Sequence, residues 1–138
     1  HVGPGTFRPV QVEDPAEHVM HEESFHLGAK AAAKINAAGR VVSVGTTVTS
    51  VLEHLARSAP DGEAPVLTGA AGCTDIFIHP PFPFRVVGAL LTNFHLPQST
   101  LLMLVSALAG RDLVMQAYHE AVRERYRFYS HGDCMLIL

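Results

Sequence analysis

The most chemically suggestive part of the sequence is a polar block that begins at Asn93 and ends at Thr100. It contains Asn93, His95, Ser99 and Thr100, with apolar runs on both sides, which predicts a strand, a loop and the first turn of a helix. Loops at the carboxyl ends of strands bind ligands in α/β proteins, and a helix N-terminus offers free N–H groups to an anion. We therefore predict a ligand site here, and Ser99 or Thr100 can also cap the helix.

A second polar segment brings His18, His21 and Glu23 close together in the sequence. The His-x-x-His spacing differs from the helical i, i+4 pair that binds zinc in metalloproteases, so we predict no metal site. An acid–base or RNA-contacting role is the functional interpretation of these side chains. A solvated polar face is the alternative.

Arginines alternate with aromatic residues near the end of the chain. The cluster consists of Arg123, Arg125, Tyr126, Arg127, Phe128 and Tyr129. Such a cluster can contact phosphates and stack on a base. The alternative is an ordinary helix end followed by core aromatics.

The composition describes a globular chain with a core. Of its 138 residues, 48% are hydrophobic and 17% are charged. The net charge of -3 leaves no general basic footprint, so any contact with nucleic acid has to be local. Cys73 and Cys134 are too few for a disulfide framework and are predicted to be buried in a protein of the reducing cytoplasm. The longest apolar run, 101–109, is too short to cross a membrane.

Hydrophobic periodicity predicts strands that alternate with helices. The strands are predicted over 7–12, 40–44, 73–78, 86–94 and 135–138. The helices are predicted over 28–38, 48–57, 101–109 and 113–125. The segment 15–26 fits neither pattern. We expect an α/β layered domain with a mostly parallel sheet flanked by helices.

Six segments together resemble one known family. They are HVGPGTFRPV at 1–10, HVMHEE at 18–23, VGTT at 44–47, TDIFIHP at 74–80, LLTNFHLPQSTLLMLVSALAG at 90–110 and AYHEAVRERYRFYSHGDCMLI at 117–137. In type and order they resemble the S-adenosylmethionine:tRNA ribosyltransferase-isomerases of queuosine biosynthesis. The resemblance implies that 1–138 is the C-terminal part of the larger α/β domain of such a protein. The family's N-terminal portion and inserted β-barrel domain have no counterpart in this chain.

The resemblance also implies an activity. Family members transfer and isomerise the ribosyl part of S-adenosylmethionine onto 7-aminomethyl-7-deazaguanine in tRNA, which gives epoxyqueuosine and releases adenine and methionine. S-adenosylmethionine is then a co-substrate, no prosthetic group is needed, and the partner is tRNA that carries this base. The reaction needs a base to remove the proton beside the sulfonium and an acid to assist adenine departure. Activity is expected to require the N-terminal portion as well.

Roles for individual residues follow from the resemblance. The catalytic candidates are His95, His21 and Asp133. The candidates for binding S-adenosylmethionine or the acceptor base are Gly3, Gly5, Thr6, Thr46, Thr47, Asn93, Ser99 and Thr100. The candidates for contact with tRNA are Arg123, Arg127 and Tyr129. His95 is open to roles as acid, base, adenine contact or loop brace, and Asp133 is either a carboxylate near the sulfonium or a turn cap.

The chain departs from the family pattern at Ser50, Pro81-Phe82, Gly88 and His131, where Arg, Gly-Tyr, Asp and Tyr are usual. The absent arginine is one that can hold a carboxylate or phosphate with two hydrogen bonds. These departures keep open the alternative of a non-catalytic homologue or an RNA-binding fragment. A methyltransferase that uses the same co-substrate is a further alternative, disfavoured because no GxGxG loop follows the first strand.

Overall fold

The fold was taken from a computed structural model, which describes residues 1–3, 18–60 and 62–138. Strands and helices alternate along most of this part of the chain. In order they are β1 (Glu23–Leu27), α1 (Ala29–Asn36), β2 (Val41–Val44), α2 (Thr46–Ala56), β3 (Ala70–Thr74), β4 (Val87–Asn93), α3 (Thr100–Ala109), α4 (Arg111–Arg123) and β5 (Cys134–Ile137). The strand predicted over 7–12 lies outside the described residues, whereas β1 falls in the segment that periodicity left unassigned.

Local signals set the ends of the helices that matter most for the site. Gly45 adopts φ 91, a left-handed conformation that glycine reaches without strain, and so turns the chain from β2 into α2. Ser99 caps α3, as predicted, because its Oγ accepts a hydrogen bond from Leu102 N at 3.1 Å. No single described helix is long and apolar enough to cross a membrane. The pair α3 and α4 meets that test only when taken together, and it is bent by 116°.

The strands form two small sheets. β2 and β4 pair in parallel, β5 runs antiparallel on the other side of β4, and β1 pairs antiparallel with β3. The predicted α/β architecture with sheets flanked by helices is confirmed. The finer expectation of a mostly parallel sheet is corrected, because only one of these pairs is parallel.

The direction of β5 follows from the connection that precedes it. Two helices, rather than one, separate β4 from β5, so the chain returns to the carboxyl end of β4 before β5 begins. Tyr129 N donates to Phe94 O at 2.9 Å, which fixes the returning loop beside that end. β5 must then run back along β4, with Asn93 opposite Cys134.

The cores lie between the sheets and the helices. One cluster packs α3 and α4 against Leu90, Ile76 and Ile78, and the other packs α1 and α2 against Val87. The strand predicted over 73–78 is found at Ala70–Thr74 instead, and beyond it Ile76 and Ile78 bury their side chains in the core.

A buried carboxylate ties α2 to the start of β4. The Glu53 side chain, only 1% exposed, accepts backbone N–H groups from Arg85, Val86 and Val87 at 2.8–3.0 Å. Arg85 and Val86 precede β4 and Val87 is its first residue, so Glu53 satisfies N–H groups at the strand entry that are otherwise costly to bury. These hydrogen bonds hold the first residues of β4 against α2.

The cysteine prediction is wrong. Cys73 and Cys134 are both exposed free thiols rather than buried apolar residues. Cys134 lies at an outward-facing position in the alternating pattern of β5. Cys73 lies in a stretch of β3 in which three consecutive residues are exposed.

Candidate active site

A cleft of about 280 Å³ opens at the carboxyl ends of β2 and β4. The two strands are parallel, so the segments that follow them meet at the same edge of the sheet. Residues predicted from the sequence make up much of its lining, namely Thr46, Thr47, Asn93, His95, Ser99 and Tyr129. The structure therefore gathers side chains that are up to 83 positions apart in the sequence into one cavity.

Two helix N-termini border this cleft. Gly45 and Thr46 begin α2 without a side-chain cap, and Ser99 precedes α3. The first turns of two helices, with their N–H groups and the positive ends of their dipoles, therefore lie at the walls of the same cleft. Such an arrangement favours a carboxylate or a phosphate.

His95 is held in a defined orientation. Its Nε2 hydrogen-bonds to Thr92 Oγ1 at 3.0 Å, and its backbone N–H donates to the Tyr118 hydroxyl at 2.8 Å. Burial lowers the pKa of His95 from 6.5 to about 4, so the imidazole is neutral at pH 7. A neutral ring can donate or accept one hydrogen bond through Nδ1, but it does not carry a stored proton for an acid step.

The partners of His95 were missed by the sequence analysis. Thr92 lies within β4 and is only 6% exposed, and Tyr118 lies on α4. Burial raises the pKa of Tyr118, although the hydrogen bond from His95 opposes the change. The alternation of β4 is the one signal that could have placed Thr92 on the same face as the following loop.

Asn93 braces the chain before β5. Its Nδ2 donates to Gly132 O at 3.4 Å and to Asp133 O at 3.5 Å. Asn93 also lines the cleft. Its amide therefore connects the wall of the cleft to the loop that precedes β5.

A smaller polar pocket of about 40 Å³ adjoins the cleft. Thr46, Thr47 and Leu101 belong to the walls of both cavities. The remaining polar lining is contributed by His18, His21, Glu23, Ser50, Thr74, Asp75 and Thr100. His21 and Thr100 were predicted from the sequence, whereas Asp75 was not. Within 1–3, 18–60 and 62–138, no group of His, Cys, Asp or Glu is arranged to hold a metal ion.

The N-terminal motif is only partly described. Gly3 N donates to Glu23 Oε1 at 3.4 Å, which brings this turn to the edge of the smaller pocket. Gly5 and Thr6, the other candidates in this motif, lie outside the described residues.

The structure does not bring Asp133 and Arg127 into either cavity. Asp133 accepts the Arg127 backbone N–H at 2.8 Å and its guanidinium at 3.0 Å. These hydrogen bonds hold the pKa of Asp133 below its usual range and raise that of Arg127. The pair closes the loop between α4 and β5, and the catalytic role of Asp133 stays a prediction.

Arg123 also lies away from the cleft. Its guanidinium is exposed on α4 and pairs with Glu120 and, at 3.2 Å, with Glu124. Carboxylates thus already neutralise two of the predicted tRNA contacts, Arg123 and Arg127. Tyr129, by contrast, does line the cleft.

Comparison with known proteins identifies the family of the chain. The family model described as "Queuosine biosynthesis protein" matches residues 1–137. The chain belongs to this family. The resemblance inferred from the motifs is confirmed.

Relatives of the queuosine biosynthesis family match the whole chain at high identity. It is 60% identical to the S-adenosylmethionine:tRNA ribosyltransferase-isomerase of Symbiobacterium thermophilum and 58% identical to that of Moorella thermoacetica, over 100% of its length. It spans 40% of the length of each relative. A crystal structure of S-adenosylmethionine tRNA ribosyltransferase from Thermotoga maritima matches 83% of this chain and 40% of that one. The TM-score is 0.74 and the identity 49%.

The departures from the queuosine family pattern fall in different surroundings. Ser50 lines the smaller pocket, so the absent arginine would have stood at the candidate site. Gly88 lies beside Arg40, whose guanidinium donates to Gly88 O at 3.0 Å, and His131 is exposed. Of these three, Ser50 is the departure that changes the chemistry of the site.

Replacement of Thr92 by valine is expected to release the orientation of the His95 ring in this family member. Valine keeps the shape of the side chain but leaves Nε2 without its hydrogen bond, at a cost of about 1–3 kcal/mol. Nitrogen-15 NMR of the imidazole in the full-length protein measures the proportions of the two neutral tautomers. Those proportions should change in Thr92→Val and be preserved in Thr92→Ser. Identical spectra for wild type and Thr92→Val would show that Thr92 does not orient the ring.

Proposed function

We propose that the protein containing this chain transfers and isomerises the ribosyl part of S-adenosylmethionine onto 7-aminomethyl-7-deazaguanine in tRNA. The products are epoxyqueuosine in the tRNA, free adenine and free methionine. The convergence of His95, Asn93 and the first turns of α2 and α3 on one cleft carries the proposal. The names of relatives that are 54–60% identical to the chain support it.

S-adenosylmethionine occupies the larger cleft in this proposal. Its methionine carboxylate lies at the N-termini of α2 and α3, where the first backbone N–H groups of both helices and the hydroxyls of Thr46 and Thr47 supply donors. The Ser99 hydroxyl donates to Leu96 O and orders this loop, and Thr100 lines the adjoining smaller pocket. The adenine lies against His95 and Asn93. The imidazole of His95 and the amide of Asn93 hydrogen-bond to the ring nitrogens of the adenine. Tyr129 provides an aromatic face at the same cleft.

The neutral state of His95 defines its role. The hydrogen bond between Thr92 Oγ1 and Nε2 is compatible with either neutral tautomer. In this proposal the Thr92 hydroxyl donates to Nε2, so that the ring proton lies on Nδ1 and is available to a nitrogen of the departing adenine. A neutral donor stabilises the negative charge that develops on adenine without first having to be protonated. His95 is thus an adenine contact rather than the acid.

The sulfonium and the acceptor amine meet at the boundary between the two cavities. Glu23 and Asp75 supply negative charge on the far side of the wall that Thr46 and Thr47 share. Carboxylates at this position favour the sulfonium and attract the aminomethyl group of the acceptor base. His21 is the candidate base for the proton beside the sulfonium, and Asp133 acts by holding its loop.

The rest of the polypeptide and the tRNA complete the site. The chain spans 40% of the length of its relatives, so the remaining portion is expected to supply further contacts to both substrates. No prosthetic group is required. We expect the protein to act in the cytoplasm, where a tRNA substrate is present.

Product identity tests this function. The full-length protein is incubated with S-adenosylmethionine and tRNA that carries the 7-aminomethyl-7-deazaguanine base, and both nucleosides and small molecules are measured by mass spectrometry. Adenine and methionine should appear in amounts equal to the epoxyqueuosine formed. With a matched tRNA that carries guanine at that position, S-adenosylmethionine should release no adenine, because guanine lacks the primary amine that attacks the ribosyl group.

Two other outcomes would contradict the proposal. S-adenosylhomocysteine as the product would indicate methyl transfer. Unchanged tRNA and intact S-adenosylmethionine, beside an active relative, would favour the non-catalytic homologue. The specific observation behind that second candidate is Ser50, which stands in the smaller pocket where the family usually has arginine.

A further inference from the structure

Three aromatic rings form a ladder that leads away from the smaller pocket. The ring centroids of His18 and Phe77 are 5.7 Å apart and those of Phe77 and His79 are 4.8 Å apart, with the ring planes tilted by 58° and 49°, so neighbouring rings meet at an angle and are not stacked in parallel. All three side chains are half-buried, so the ladder lies at the surface rather than in a core. His18 also lines the smaller pocket, which joins the ladder to the candidate active site.

The far end of the ladder borders another cavity, of about 370 Å³. Phe77, His79 and Phe82 supply its aromatic walls. Charged side chains, those of Glu53, Arg57 and Arg85, supply the rest of the lining together with two prolines. A cavity of this size accommodates a planar ring system, and aromatic faces are what a nucleobase stacks on. The ladder and the cavity therefore form a continuous aromatic path that starts at the pocket.

The charged side chains around this cavity differ in how many hydrogen bonds they already form. Glu53 is committed to backbone N–H groups, and the Arg85 guanidinium donates to the carbonyl groups of Ala56, Ala59, Pro60 and Glu63. The Arg57 side chain is exposed and forms no hydrogen bond or ion pair with any residue in 1–3, 18–60 or 62–138. An uncommitted cation beside aromatic walls suits a phosphate next to a stacked base.

We propose that His18, Phe77, His79 and Arg57 form a platform for the unpaired nucleotides next to the base that is modified. The inference rests on the proposed function, since it assigns the surface by which the tRNA approaches the same site. Asp75 and Glu23 repel phosphates at the pocket end, so the nucleic-acid backbone runs on the Arg57 side and the bases lie on the rings. The platform adds a second surface to the predicted tRNA contacts Arg123 and Arg127, which already pair with carboxylates.

Binding of a short anticodon stem-loop RNA to the full-length protein tests the platform. Phe77→Leu removes a stacking face and should weaken binding by about 5- to 150-fold, whereas Phe77→Tyr should retain it. Arg57→Gln should weaken binding and reduce the slope of log affinity against log salt by about 0.7, the value for one lost phosphate contact on a single strand. Affinity for S-adenosylmethionine should be unchanged in all three variants.

Matched substitutions elsewhere serve as controls. Phe25→Leu removes a half-buried ring on β1, and Arg111→Gln removes an exposed guanidinium at the start of α4. Both control variants should bind the RNA as the wild type does. If Phe77→Leu and Arg57→Gln also bind like the wild type, the platform is refuted while the proposed function stands. If the wild-type protein binds no RNA, the proposed function itself fails and the platform with it.

Discussion

Replacement of His95 by alanine should lower the rate of adenine release by about 10²- to 10³-fold, the effect of removing one donor directed at developing charge. The loss should fall on kcat more than on KM, because the Nδ1–H contact strengthens as adenine departs. Steady-state kinetics of the full-length protein with S-adenosylmethionine and the acceptor tRNA measures both constants. His119→Ala, which removes an exposed histidine on α4, is the control and should be neutral. A His95→Ala rate within twofold of wild type would rule out a direct role for the imidazole.

The same histidine links stability to pH. Burial lowers the pKa of His95 from 6.5 to about 4, so between these values the unfolded chain binds a proton that the folded chain does not. The wild-type protein should therefore lose stability as the pH falls from 6.5 to about 4, and His95→Ala should lack this component. Urea denaturation of both proteins across this range measures the difference. Equal pH dependence would mean that His95 is not kept neutral by burial.

Replacement of Glu53 by alanine should destabilise the fold by about 3–5 kcal/mol. The change leaves the backbone N–H groups of Arg85, Val86 and Val87 without their acceptor and opens a cavity beneath α2. Glu53→Gln keeps the oxygen that accepts from Val86 and Val87 but sets an amide N–H₂ against the Arg85 N–H. Its cost should be smaller, about 1–3 kcal/mol.

Denaturant unfolding of the full-length protein, followed by hydrogen exchange of the β4 amides, measures this effect. Glu63→Ala is the control, because the Glu63 side chain is exposed and only its backbone carbonyl accepts from Arg85. The control should lie within about 0.5 kcal/mol of wild type. A Glu53→Ala protein as stable as this control would show that the carboxylate is dispensable.

The parts of the fold that the sequence predicted well are those with local signals. The apolar run before Asn93, the capping Ser99 and the turn at Gly45 specify β4, α3 and the entry to α2 through neighbouring residues. β1 carries no such signal, because its backbone is ordered by pairing with β3, more than 40 residues away along the chain. The direction of β5 depends on the two-helix connection and is likewise invisible to periodicity.

The candidate site was predicted to a similar extent. His95, Asn93, Thr46, Thr47 and Ser99 come together because the ends of two parallel strands must meet at one edge of the sheet. The contacts of Thr92 and Tyr118 with His95 join a strand, a loop and a helix, and only the packed structure specifies them. At Asp133 the motif drew attention to a carboxylate without indicating its partner. The structure shows that this carboxylate accepts hydrogen bonds from Arg127, six positions earlier.

The central claim is that the cleft between α2 and α3 binds S-adenosylmethionine, and a crystal structure of the full-length protein with this compound tests it most directly. The account predicts adenine within hydrogen-bonding distance of His95 or Asn93. It also predicts the methionine carboxylate at the first N–H groups of α2 or α3, with the sulfonium toward Glu23 and Asp75. S-adenosylmethionine bound at a site that none of these residues contacts would contradict the account.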